Sequence, residues 1–466
     1  MTNPSLDDGI GAGLTRRLAQ EALVFPDDAI PEDVKEIARH CLLDWFSVAL
    51  AAWSHPSVQA VMAWIEREPG NGQASLLGTG KRVSVSQAAL VNGTASHVLD
   101  FDDAHLPSRV HPSVPLWSAL LALAEAKSLS GARVLSAFAA GVQVQSRLAA
   151  VMGESHYRQG WHNTATLGSF GATAAIARLE LLSQAQLGAA FGFAATLSGG
   201  MRSVFGSGAK PLHAGRAAAN GLMAAGLADA GLEGPGDILE RAGGYVSVYA
   251  CDSKPAALME HAYPWEVRRI VFKYHSSCYG TQAPIEAAKM ACDKMDAGAL
   301  ESIRVHVEPQ YLTVCNIAAP RTASEVKFSI AHMVALALAG RDTSNESSLM
   351  GAALEDAAVI GLRNRIEVLG DSGLARANAR VELLDRSGQH AEAVCDASRP
   401  QDDLAFQRRR LREKSSALLT PLYGTAAVER LQERLLSFDS EPDLGAWIRP
   451  LLGELAQARR QQHQAE

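Results

Sequence analysis

The feature that most restricts this chain is a change of periodicity near Pro264. Over roughly the first 260 residues, apolar side chains recur at helical spacing. PEDVKEIARHCLLDWFSVALAA opens on Pro31 with acids in its first turn, and Val34, Ile37, Cys41, Leu42 and Trp45 then fall on one helical face. Ala- and Leu-rich stretches of the same kind occupy Gln87–Leu99, Pro115–Lys127, Ala132–Val151, Gly168–Glu180 and Gly215–Ala230, and their many small residues imply closely packed helices. Past Pro264 the pattern alternates. WEVRRIVFKYH reads as a strand, ESIRVHVEP puts Ile303, Val305 and Val307 on one face, and ARVELLDRSGQHAEAVCDA reads as a hairpin turning at Ser387–Gly388. Helices are expected between these strands at Ala283–Lys294, Val326–Ala339 and Leu349–Asn364. From Asp402 the chain is helical again, in DDLAFQRRRLREKSSALL and AAVERLQERLLSF. The expected fold is therefore mainly α: a large all-helical domain built from both chain ends, residues 1–264 and 401–466, plus a smaller α+β lid domain at 265–400. A cleft between two such domains is a favoured place for a small ligand.

A length of 466 residues exceeds one compact core and agrees with two domains. Hydrophobic residues make up 47% and charged residues 20%, the balance of a soluble protein with a large interior. The net charge of −7 argues against nucleic acid as a partner. MTNPSLDDGIGAGLTRRL has early acids and no apolar core, so it does not read as a secretory signal. Leu181–Met201 carries no charge, but its serine, glutamines and glycines read as a buried helix pair and not as a membrane span. Cysteines at 41, 251, 278, 292, 315 and 395 form no CxxC pair, so reduced thiols and a cytoplasmic location are expected.

Four segments place a cation or an imidazole just ahead of a helix start. His111 precedes Pro112 and Pro115, His162 precedes TATLGSFGATAAIARL, Lys210 precedes Pro211 and His213, and Lys273 lies ahead of Thr281 and Pro284. Helix N-termini present unpaired N–H groups and partial positive charge, so four of them would suit a polyanionic small molecule if they converged. The plain alternative is four surface loops, each capping its own helix. DFDDAHLPSRVHPS, Asp100 to Ser113, adds a second question. Asp100, Asp102, Asp103, His105 and His111 carry donors for a divalent cation. No HExxH, EF-hand or paired-cysteine spacing is present, so no metal is expected. An acid/base reading pairs Asp100 with His111 and leaves Asp102 and Asp103 as structural caps. Cys278 with nearby His275 is a weaker nucleophile candidate, read here as a structural thiol. GSGAKP lacks the P-loop pattern, and no GxGxxG or GxSxG is found, so no cofactor is expected.

Five blocks then carry a resemblance: HVLDFDDAHLPSRVHPSVPLWSALLALAEA, GWHNTATLGSFGATAAIARLELL, AKPLHAGRAAANGLMAAGLADAGLEGP, KYHSSCYGTQAPIEAA and EVKFSIAHMVALAL. In this order they resemble the MmgE/PrpD family, which contains 2-methylcitrate dehydratases, cis-aconitate decarboxylases and an iminodisuccinate epimerase. The resemblance implies a helical domain with a smaller α+β lid, a homodimer, and enzymes needing neither metal nor organic cofactor. It places active-site positions on Asp100, His111, His162, Lys210 and Lys273. His213, His332, Arg109 and His105 are the expected substrate contacts. His332 stands where the decarboxylases have tyrosine, Ala104 where they have threonine, and Gln282 where a family histidine is common. The 100–113 loop is similar to that of the epimerase branch.

The expected activity is therefore a cofactor-independent epimerase of an iminodisuccinate-type di- or tricarboxylate, working by proton abstraction and return beside a carboxylate. The alternative is a lyase of the same family, of the 2-methylcitrate dehydratase or cis-aconitate decarboxylase type. A non-catalytic polycarboxylate binder and a metal-dependent hydrolase stay open as different classes. His162 is expected to hold its pKa near neutrality and serve as the base.

Overall fold

A computed structural model describes residues 13–68, 70–258 and 265–465. The first twelve residues and Pro264, where the periodicity changes, lie outside them. The protein is mainly α-helical. The described residues form two compact units, one made of the chain up to Ile270 and from Asp403 onward, the other of Val271–Asp402.

In the first unit, the helices Val85–Val98 and Asn163–Leu179 both lie against Ala209–Asp229, and Ser113–Lys127 touches all three. Small residues set that spacing. A Cβ on Gly215 would stand 2.1 Å from the Leu90 carbonyl oxygen, and one on Gly93 would stand 2.7 Å from the Gly215 Cα. The backbones of Val85–Val98 and Ala209–Asp229 are thus in contact, with no side chain between them. Trp117 stacks on Phe138 at 4.2 Å between ring centroids, both fully buried.

Gly131–Arg158 is interrupted at Gly153, whose backbone is not helical. It is long and apolar enough to cross a membrane, but 89% of its apolar window is buried within the protein, as in a core helix. Leu181–Met201 departs from expectation: it holds one helix, Gln184–Leu197, and not a pair. A capping box of Ser183 and Gln186 starts that helix. The chain then leaves it at Ser198 and runs to Gly200, whose carbonyl accepts a bond from the His162 amide at 3.0 Å.

Helix Leu404–Tyr423 packs on Glu32–Ala51. Asp403 caps it by accepting from the Phe406 amide. Across the contact, Lys414 Nζ lies 2.5 Å from Asp44 Oδ1, and the Ser47 and Ser415 hydroxyls are 2.9 Å apart. The same ammonium donates to the Phe101 carbonyl at 2.5 Å and sits 3.8 Å above the Phe101 ring. An ion pair this deep is costly to break from one side, on the order of 3–5 kcal/mol. It therefore fixes the residue between Asp100 and Asp102 to helix Leu404–Tyr423.

The second unit is a four-stranded sheet with helices. Strand Leu300–Val307 is parallel to Ile366–Gly370 on one side and antiparallel to Asn378–Asp385 on the other; the last pairs with His390–Asp396. Ile303, Val305 and Val307 are buried as the alternation requires. The Asn378–Asp396 hairpin turns through Ser387–Gly388, with Asp385 Oδ1 accepting from the Ser387 and Gln389 amides at 2.9 Å. Helices Tyr279–Cys292 and Ile330–Leu338 pack on each other, and Ile285, Val334, Val305, Val381 and Leu383 share one core. WEVRRIVFKYH is not a strand: Glu266–Arg269 forms a 3-10 turn. Its charged residues find side-chain partners, Glu266 with His105 and Arg268 with Asp33, where a strand would need a neighbouring backbone. Leu349–Asn364 is broken as well, into a 3-10 turn and the short helix Ala357–Arg363, capped by Asp356.

Candidate active site

Helix Val85–Val98 delivers His97 at its last turn, and Asp100 then turns the chain with a left-handed backbone (φ 52°). The turn sends Asp102 inward. Asp102 is fully buried between two imidazoles: His97 Nδ1 lies 3.0 Å from Oδ1, and His111 Nδ1 lies 2.8 Å from Oδ2. Burial alone would raise this carboxyl; the charges and hydrogen bonds of His97 and His111 outweigh it and hold the group well below the ordinary carboxylate range. His111 Nδ1 also faces the Asp103 carbonyl at 2.8 Å. Two acceptors at Nδ1 place the ring proton there, so Nε2 is the basic nitrogen of a neutral His111.

This corrects two expectations. The carboxylate that orients His111 is Asp102, read from sequence as a structural cap. Asp100 instead pairs with Lys210, its Oδ1 lying 2.7 Å from Nζ. Asp103 is structural, as expected: it accepts from the Ser113 amide and hydroxyl at 3.3 and 2.5 Å and caps the Ser113–Lys127 helix. Burial, then the nearby Asp44 and Asp102 carboxylates, push its pKa up to about 8. Two adjacent, equally buried aspartates thus differ in charge because one has imidazole partners and the other has carboxylate neighbours.

His162 starts the Asn163–Leu179 helix without a side-chain cap. Its Nδ1 lies 3.1 Å from His213 Nδ1, so one ring donates and the other accepts. Its ring stacks on His97 at 6.0 Å and meets Phe205 edge-on at 4.9 Å. Burial, then His97 and Lys210, drive the His162 pKa well below its ordinary value, against the expectation of a pKa near neutrality. His97 is driven down to about 4 by burial, and His213 is lowered for the same reason. The site therefore holds several uncharged imidazoles beside the Lys210 ammonium. Two buried polar atoms here, His97 Nε2 and Asn163 Oδ1, have no hydrogen-bond partner among the described residues.

Of the expected site residues, the first unit brings together Asp100, His111, His162, Lys210 and His213. It turns two others away. His105 is buried with Nδ1 on Ser108 and Nε2 on Glu266 at 3.0 Å, which leaves no ring nitrogen for a substrate. Arg109 reaches Glu154 at 2.5 Å and lies over the Tyr157 ring. The helix ends also divide. Ser113–Lys127 is capped by Asp103, and Ser207 Oγ accepts from the Ala209 amide at 3.3 Å, so these two ends serve themselves. Lys210 and His213 still project from the first turn of Ala209–Asp229.

Lys273 and His332 belong to the second unit, where both are buried. His332 Nδ1 lies 3.4 Å from Arg363, and burial, then that guanidinium, lower its pKa to about 4. Cys278 starts the Tyr279–Cys292 helix and borders the buried Cys315. His275 is committed to Thr343 and Glu286, both at 2.7 Å, and so does not activate that thiol.

His97, Asp100, Asp102 and His111 bring donor atoms within 4.8 Å of one another, a set a divalent cation could use. Their charge is already balanced by Lys210 on Asp100 and by imidazole protons on Asp102. A metal would have to displace those bonds.

Family models match most of the chain: the MmgE/PrpD N-terminal domain over residues 16–257 and the C-terminal domain over 275–439. The chain belongs to the MmgE/PrpD family. A cis-aconitate decarboxylase of Aspergillus terreus is 28% identical over 72% of this chain and 74% of its own length. A cis-aconitate decarboxylase-like protein of Aspergillus oryzae is 31% identical over 56% of this chain and 58% of its own. The human cis-aconitate decarboxylase is 33% identical over 44% of each. Within this candidate site the sequence reading missed His97 and Lys414. His97 carried a signal, standing in HVLDFDD beside the aspartates; Lys414 carried none, being 313 residues from the carbonyl it holds.

Proposed function

We propose that this MmgE/PrpD enzyme is a lyase acting on a small di- or tricarboxylate, of the decarboxylase or dehydratase type, without a metal or organic cofactor. One observation carries the reading: the Lys210 ammonium and Asp100 stand beside the uncharged imidazoles of His97, His162 and His213. The names of the relatives support it, since each is a cis-aconitate decarboxylase or similar to one.

In a decarboxylation, the C–C bond to one carboxylate breaks and CO2 leaves. Its electron pair spreads into the neighbouring carboxylate as an enediolate-like dianion, and a proton is then added at carbon. In a dehydration, the α-proton is removed and hydroxide leaves as water, with one proton supplied to it. Both pass through charge beside a carboxylate, which a fixed ammonium stabilises where it develops. Neutral imidazoles suit the proton steps: in the dehydration one takes the α-proton and, as imidazolium, gives a proton to the leaving hydroxide, and in the decarboxylation one takes a proton from solvent and passes it to carbon as CO2 leaves. A substrate hydroxyl, which can donate, is the group that would pair with the acceptors His97 Nε2 and Asn163 Oδ1. Lys273, proposed to hold a substrate carboxylate, and His332 are the second unit's residues in this reading, and a cytoplasmic homodimer belongs to it as well.

Epimerisation is the second reading, favoured by Ala104 and His332 at positions where the decarboxylases carry threonine and tyrosine. A panel of di- and tricarboxylates, cis-aconitate and 2-methylcitrate included, incubated in heavy water decides between them. CO2 release or alkene formation is expected. Solvent deuterium entering an otherwise unchanged substrate would establish the epimerase, and no turnover with tight binding would leave a binder.

A further inference from the structure

We infer that Gln282 is a positioning residue for Lys273, acting through the backbone of the loop that follows the lysine. The inference rests on the proposed role of Lys273 in holding a substrate carboxylate. The buried Gln282 amide uses both of its ends on that loop. Its Oε1 accepts from the Tyr274 and His275 amides, both at 3.2 Å. Its Nε2 donates to the His275 carbonyl at 3.0 Å and to the Ser277 carbonyl at 3.3 Å. The Tyr274 amide belongs to the same peptide plane as the Lys273 carbonyl, so the clamp begins one bond from the lysine. The same loop is held further on as well: Ser276 donates its amide to the Thr343 carbonyl at 2.8 Å, and the His275 ring bonds Thr343 and Glu286.

A carboxamide is the side chain that meets this demand. It accepts twice and donates twice in one plane, whereas a carboxylate accepts only and an imidazole offers two nitrogens. Gln282 has no bonding capacity left over, so its contribution is to the position of Lys273 and not to proton transfer.

The test is a thermodynamic cycle on the full chain, with tricarballylate, an unreactive tricarboxylate, as the binding probe read by calorimetry and with melting temperature recorded for each protein. Lys273→Ala should weaken binding on the order of tenfold or more. Gln282→Ala should weaken it by roughly tenfold in the wild-type background and by much less when Lys273 is already alanine. Gln282→Glu, which keeps the volume and the accepting half of the clamp, should fall between and guards against an alanine variant that fails to fold. Equal losses in both backgrounds, or wild-type binding in a folded Gln282→Ala protein, would overturn the inference alone. Unchanged binding in Lys273→Ala overturns the assignment of Lys273 and the inference with it. No binding to the wild-type protein overturns the polycarboxylate reading itself.

Discussion

From His97 to Ser113, functional groups are held by other ionisable groups: Asp102 by two imidazoles, Asp100 by Lys210, and Phe101 by Lys414. From Lys273 to Gln282, the backbone is held by a carboxamide and by hydroxyl and amide bonds, most of them neutral. The first arrangement keeps its geometry only in certain protonation states. The second is largely indifferent to pH and depends instead on shape and on each bond being made. Charge-assisted bonds are shorter and stronger, so the first segment gains precision where the proposed chemistry would move a proton. It also gains a sensitivity to pH that the second does not share.

The sharpest test of this contrast is Asp102→Asn. Asparagine keeps the size but not the charge, so His111 loses the anion that fixes its Nδ1 proton. Turnover should fall by roughly 10²–10⁴-fold with the fold retained. A loss no larger than that of Gln282→Ala would mean that ionic and neutral partners are equivalent here. His162→Gln comes next. A loss on the order of 10²-fold in turnover is expected, with tricarballylate still bound and the melting temperature little changed. A stable His162→Gln protein with wild-type turnover removes His162 from the chemistry and reduces it to a helix start.

A smaller effect concerns stability against pH. The Asp103 pKa is raised from 3.8 to about 8, so the folded state holds a proton that the unfolded chain gives up. Its contribution is fully present below pH 3.8 and is lost as pH climbs toward 8. His97 and His162 have lowered values, so their contribution is present above pH 6.5 and lost on acidification. Asp103→Asn removes the first dependence only. Its melting temperature should gain on wild type between pH 5 and pH 8 by several degrees and hold that gain above pH 8. A constant difference at every pH would show that Asp103 is ionised when folded. The smallest expected effect is that of exhaustive chelation, which should leave turnover unchanged. Activity lost to chelator and restored by one divalent ion would instead make His97, Asp100, Asp102 and His111 a metal site.

The sequence showed the helical texture, the hairpin and five members of the first-unit site, because each is a local pattern or stands within one. What it hid depended on direction and distance. Asp102 and Asp103 are adjacent and chemically alike, and only the left-handed turn at Asp100 decides which one faces the imidazoles. His105 looks as available as His111 until Glu266, 161 residues away, occupies its ring. WEVRRIVFKYH alternates like a strand, yet ionic partners from a distant loop and a distant helix claim its side chains. His162 stands out in the sequence, but its charge state depends on how deeply it lies and on which cations surround it.

The contact between Gly93 and Gly215 sets a fixed gauge for the site. His97 stands one helical turn beyond Gly93, and Lys210 stands little more than one turn before Gly215. The separation between the imidazole pair and the ammonium is thus inherited from two backbones that cannot come closer. Adding a single methyl group at Gly215 would drive the helices apart, at about 1–3 kcal/mol, and carry Lys210 away from Asp100. A change of substrate size in related sequences should therefore be written in the side chains that project into the site, while the spacing of its frame stays the same.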